Sequence, residues 1–98
     1  MKWKVLYHPE VEGDLTSIAH GAARRIVKAI DQKLTTEPLK FGNPLSGNLG
    51  MFRKLRVGDY RVVYQVVENR VIVYVLAVGP RRDKEVYSFL FSRYFWYF

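Results

Sequence analysis

The sequence predicts an α+β fold in the order β-α-α-β-β-β-(α): a mostly antiparallel sheet with a two-helix hairpin packed on one face. Three observations predict it. Apolar residues recur at helical spacing over residues 11–34, the period drops to two after residue 50, and the later apolar runs are joined by turns short enough to force antiparallel hairpins.

The elements follow in order. Trp3-Lys4-Val5-Leu6-Tyr7 is a short apolar-rich strand. His8-Pro9 ends it, and Pro9 suits the first turn of a helix. Glu10, Glu12 and Asp14 fall in that helix's opening turns, where the dipole favours acids. Val11, Leu15 and Ile18 form its apolar stripe, and His20-Gly21 marks the break. A second helix runs from about Ala22 to Thr35, with Ala23, Val27, Ile30 and Leu34 as the buried stripe. Glu37 to Gly50 holds Pro38, Gly42, Pro44, Gly47 and Gly50 and reads as loop. Three strands follow, Phe52 to Val57, Tyr60 to Val67 and Val71 to Val78, turned at Gly58-Asp59 and Glu68-Asn69-Arg70 and rich in Val and Tyr. Arg82 to about Ser92 reads as a short last helix. The 98 residues fit a single domain, 1–98, with 88–98 as an atypical tail.

Composition narrows the function. Sixteen basic residues against nine acidic give a net charge of +7. The excess is uneven: residues 1–49 carry seven basic and five acidic side chains, residues 50–98 nine and four. A basic half points to a polyanionic partner. The absence of cysteine excludes disulfide scaffolds, thiol nucleophiles and cysteine-ligated metals. No apolar run is long enough to span a bilayer and no secretory signal is visible, so a cytoplasmic protein is expected. The two histidines, His8 before Pro9 and His20 before Gly21, suit capping or surface roles. No metal-ligand cluster or phosphate-cradling glycine loop is present in the sequence, so no metal or cofactor is expected.

Basic residues on the strands remain. Residues two apart share a strand face, so Phe52, Lys54 and Arg56 line one side. Arg53 falls on the other by parity; either it lies at the sheet edge or a bulge shifts the register. The Gly58-Asp59 hairpin brings Arg61 across from Lys54 and Arg56, and Arg81 and Arg82 end the third strand. Lys54, Arg56, Arg61 and Arg81 are thus expected to converge on one patch. Crowding like charges is unfavourable without an anion between them, which favours a phosphate site over a merely solvated face.

The stretches Asn43-Pro44-Leu45-Ser46-Gly47-Asn48-Leu49, Lys54 to Gln65 (KLRVGDYRVVYQ) and Ala77 to Tyr87 (AVGPRRDKEVY) together resemble the RelE branch of the RelE/ParE toxin superfamily, in its order and spacing. The resemblance implies the fold already read from periodicity. It also implies the toxin of a type II toxin–antitoxin pair, an endoribonuclease that enters the ribosomal A site and cuts mRNA there. The expected products are a 2′,3′-cyclic phosphate and a 5′-hydroxyl. Lys54, Arg61, Arg81 and Tyr87 match the family's catalytic positions, and Arg56 is a phosphate contact, with Arg53 and Arg82 as further RNA contacts. In these roles Lys54 takes the 2′-hydroxyl proton, Arg61 holds the phosphate in a fork, Arg81 stabilises charge at the leaving 5′-oxygen, and Tyr87 stacks on a base or orients the phosphate. The implied partners are a RelB-like antitoxin, the ribosome with its rRNA, and mRNA; operator DNA is reached only through the antitoxin complex, and no membrane is involved.

Two departures stand out. Family members carry a second lysine where this chain has Phe52, which is expected to stack on a nucleobase instead. The tail is the other: eight of the fifteen aromatic residues fall between Tyr87 and Phe98, suited to packing on the domain itself or to a dimer or antitoxin contact. The same fold also permits a ParE-like gyrase inhibitor without chemistry of its own, or an inactive relic that acts with its antitoxin on operator DNA.

Overall fold

The structure is a computed structural model and describes residues 2–45, 47, 50–81 and 93. Strand β1 (Lys4–Tyr7) leads into helix α1 (Val11–Thr16) and helix α2 (His20–Ala29), which continues as one π-helical stretch, Ile30–Leu34. A single-turn helix α3 (Pro38–Phe41) and strand β2 (Asn43–Pro44) precede β3 (Arg53–Val57), β4 (Tyr60–Val67) and β5 (Ile72–Pro80), with a 3-10 turn at Glu68–Arg70. One five-stranded sheet results, in the order β1-β5-β4-β3-β2. All its pairs are antiparallel except β1 with β5. The expected last helix from Arg82 and the tail 88–98, apart from Arg93, lie outside the described residues.

Both sheet faces carry apolar clusters. On one, Val11, Ile26, Ile30 and Leu34 of the helices pack with Leu55, Val62, Tyr64, Val73, Val75 and Val78. On the other, Phe52, Val63, Ile72, Tyr74, Leu76, Ala77 and Leu45 are buried together. The register separates the faces, since Leu55 opposes Val62 while Lys54 opposes Val63.

Three expectations need correction. The helix break is at Ser17–Ala19, and α2 already begins at His20. The Thr16 and Ser17 hydroxyls donate to the Gly13 and Asp14 carbonyls, which ends α1 early. The buried stripe is Ala22, Ile26, Ile30 and Leu34: Ile30 and Leu34 are as expected, while Ala22 and Ile26 replace Ala23 and Val27, and Val27 is exposed. That stripe repeats every four residues, which drifts around an α-helix of 3.6 per turn, and the wider π turn keeps Leu34 over the sheet. Residues 37–50 are not all loop. Pro38 opens α3 at a position where its missing N–H matters least. Asn43 and Pro44 then pair with Lys54 and Arg53 as an edge strand.

Candidate active site

The β3–β4 hairpin builds the site. Gly58 has φ of 60°, the left-handed conformation its two-residue turn needs. The turn sets Arg56 opposite Arg61 and Lys54 opposite Val63, so Lys54, Arg56 and Arg61 share one face. Arg61 in turn lies opposite Gly79 of β5.

A bulge then brings Arg81 to the same face. Tyr64 pairs with Val75 and Val63 with Ala77, so β5 has one extra residue, Leu76, between two consecutive pairs. Without it, strict alternation from Ile72 and Tyr74 would send Arg81 to the helix side. With it, Ala77, Gly79 and Arg81 follow the face of Val63 and Arg61. The Arg81 N–H donates to the Asp59 carbonyl at 2.9 Å, fixing the strand end to the hairpin turn. The Arg61 guanidinium donates to the Arg81 carbonyl and is thereby aimed. Burial, and then the charge of Arg81, pull the Arg61 guanidinium below its ordinary value; an arginine still keeps its proton at neutral pH.

Lys54, Arg56, Arg61 and Arg81 surround a cleft of about 410 Å³, completed by Lys33, Phe41, Asn43 and Leu55. No acidic side chain is among these lining residues. A smaller cleft of about 320 Å³, lined by Asp59, Tyr60, Pro80 and Arg81, adjoins it through Arg81. The set can hold a phosphate between forked guanidinium donors, with lysine ammonium groups as further cations.

Two expected RNA contacts are corrected by their placement. Phe52 shares the face of Lys54 but is completely buried in the second apolar cluster, so its ring has no surface open to a base. Arg53 faces the helix side. Its guanidinium donates to the Leu39 carbonyl at 2.8 Å and to that of Gly42, closing the end of α3. Tyr87 and Arg82 lie outside the described residues. Sequence reasoning passed over Lys33, Phe41 and Asn43. The available signal was an aromatic beside Gly42 in a segment rich in turn formers.

A family model for the ParE toxin of type II toxin–antitoxin system, parDE, matches residues 5–85. The mRNA interferase toxin RelE of Escherichia coli (strain K12) is 54% identical over 35 residues, 36% of this chain and 37% of that protein, so the match spans little more than a third of that relative's length. Toxin RelG of Mycobacterium tuberculosis is 28% identical over 83 residues, 85% of this chain and 95% of RelG. The toxin–antitoxin complex RelBE2 from Mycobacterium tuberculosis matches with a TM-score of 0.77 at 26% identity, covering 83% of this chain and 100% of the matched one. A free-state mutant of Escherichia coli toxin RelE shares the fold, with a TM-score of 0.77 at 24% identity over 95% of this chain and 98% of that one.

Proposed function

The chain belongs to the ParE toxin family, within the RelE/ParE superfamily of type II toxin–antitoxin toxins, and from that premise we propose that it is a ribosome-dependent mRNA endoribonuclease held inactive by a RelB-like antitoxin. The observation that carries this reading is the gathering of Lys54, Arg56, Arg61 and Arg81 around one cleft. The name of the Escherichia coli relative, an mRNA interferase, supports it.

In this mechanism the RNA's own 2′-hydroxyl attacks the adjacent phosphorus. Lys54, in its amine form, takes the hydroxyl proton as the new oxygen–phosphorus bond forms. Arg61 grips two phosphate oxygens, and its link to the Arg81 carbonyl means little reorganisation as their charge grows. Arg56 adds a further cation. Arg81 stabilises the departing 5′-oxygen, which takes a proton from water. A 2′,3′-cyclic phosphate and a 5′-hydroxyl result, with guanidinium and ammonium groups meeting the charge that other nucleases meet with a metal. Tyr87 is proposed to orient the phosphate or a base. The small open cleft suits an enzyme whose RNA is positioned by the ribosomal A site in the cytoplasm. Contact with operator DNA is proposed only through the antitoxin complex.

Expression of the chain alone, followed by mapping of mRNA 5′ ends during growth arrest, tests the reading. Cuts inside translated codons are expected. Arg61→Ala and Arg81→Ala are each expected to reduce cutting on the order of 10²- to 10³-fold and relieve arrest. Growth arrest with intact mRNA and lost gyrase supercoiling would instead identify a ParE-like inhibitor.

A further inference from the structure

We propose that Phe41, backed by Lys33 and flanked by Asn43, is a nucleobase subsite that stacks and reads the nucleotide next to the scissile phosphate. The proposal rests on the mRNA-cleavage reading and extends it to base preference.

Exposed apolar side chains are ordinary on any surface. Phe41 differs in where it stands and how it is held. It is 40% exposed at the wall of the basic cleft and is the aromatic among the described residues that line it. Its backbone corner is rigidly built. The Tyr64 hydroxyl donates to the Pro38 carbonyl at 2.6 Å, Arg53 ties down the Leu39 and Gly42 carbonyls, and Asn43 is paired with Lys54. Gly42 presses so closely on Tyr64 that a Cβ there would sit 1.9 Å from the hydroxyl oxygen. An aromatic ring held on such a corner meets a base without loss of loop entropy.

The neighbours suit a nucleotide. The Lys33 ammonium lies over the Phe41 ring, 5.4 Å from its centroid; a base would stack on the opposite face, with this cation behind the platform for the phosphate that accompanies it. Asn43 is exposed and, as the cross-strand partner of Lys54, shares its face. Its amide offers one donor group and one acceptor to a base edge. With the Phe52 ring buried, Phe41 is the aromatic among the described residues of this cleft that a base can reach.

Mapping of mRNA 5′ ends with Phe41→Ala, Phe41→Tyr and Asn43→Ala tests the subsite. Both positions are exposed, and unchanged circular-dichroism melts are expected for all three variants. Phe41→Ala is expected to lower cutting by roughly 5- to 150-fold, the range for loss of one stacked base. Phe41→Tyr, which keeps a π face, should recover most of the cutting that Phe41→Ala loses. Asn43→Ala should flatten the base preference beside the cut by a larger factor than it lowers total cutting. Parent-like frequency and parent-like base preference in Phe41→Ala would overturn the subsite while leaving the nuclease reading intact. Absence of cuts by the unsubstituted chain would overturn both.

Discussion

His8 is buried, with 5% of its surface exposed, and takes no part in the basic cleft. Its Nδ1 accepts the Glu10 N–H at 3.1 Å, and its carbonyl accepts the Val11 N–H, so it caps the entry to α1. An accepting Nδ1 is unprotonated. Burial first, then Arg93, hold the imidazole below its ordinary 6.5, while Glu10 and Asp14 pull the other way. The sign for stability follows. Below pH 6.5 the unfolded chain binds a proton at His8 that the native chain resists, so native stability is complete above 6.5 and falls as pH drops through that window. Urea midpoints measured between pH 7.5 and 5.5 should fall more steeply for the parent than for His8→Asn, whose Oδ1 keeps an acceptor for the cap without titrating. Equal slopes would place the acid sensitivity elsewhere. At this scale the sequence was informative for Lys54, Arg56 and Arg61, because strand parity and a two-residue turn determine where they point. For Phe52 and Arg53 it gave the right face but the wrong role. Parity names a face, but exposure depends on what covers that face, and the carbonyls that claim Arg53 belong to a helical turn hidden among Pro38 and Gly42.

At the scale of elements, the bulge in β5 decides the site, and side chains hold it in place. β1 pairs with β5 through Val75, and from Leu76 onward that edge has no strand partner among the described residues. Asp14 of α1 fills the gap: its Oδ2 accepts the Val78 N–H at 3.0 Å. Arg93 donates to the same Oδ2 at 2.7 Å, to Oδ1 at 3.2 Å and to the Leu76 carbonyl at 2.9 Å, and lies 3.3 Å from Glu10. Asp14 was expected to serve the helix dipole; the fold uses it as a clamp on the bulge. Removing one partner of a buried pair leaves the other charge uncompensated, so Asp14→Ala is expected to lose about 3–5 kcal/mol, a large share of a small domain's stability. Asp14→Asn, which retains an acceptor for Val78, should lose less. Urea denaturation checks both, and a loss under 1 kcal/mol in Asp14→Ala would remove the clamp from the account. The strands themselves were legible from Val and Tyr alternation. The bulge was not, because residues 72–79 are buried on both faces and an all-apolar run carries no parity signal. The α2 stripe was misplaced for a related reason: Ala22 and Ile26 compete with Ala23 and Val27 at the same spacing, and only the sheet chooses between them.

At the scale of the whole molecule, the +7 charge is concentrated where folding makes it least comfortable. Lys33, Lys54, Arg56, Arg61 and Arg81 meet at one cleft, and among the described residues no acid lines it with them. Two cations about 5 Å apart repel by roughly 1 kcal/mol even in water, before salt reduces the effect. Arg61, pulled down by burial and by Arg81, registers that repulsion directly. The arrangement suits a protein that meets a polyanion in action and is covered by an antitoxin otherwise; alone, it carries the strain. The free chain is therefore expected to gain stability with salt. Raising NaCl from 20 to 300 mM shortens the screening length from roughly 20 Å to about 6 Å and should raise the melting temperature by a few degrees. Arg81→Gln removes one cation while keeping the main-chain carbonyl that Arg61 uses. It should melt above the parent at 20 mM NaCl, and the gap should narrow at 300 mM. The same variant should have lost RNA cutting, so stability and activity move in opposite directions at one residue. A variant that melts below the parent at low salt, or a gap indifferent to salt, would mean that the cleft's charges are already balanced within the fold and that no anion is needed to explain their placement.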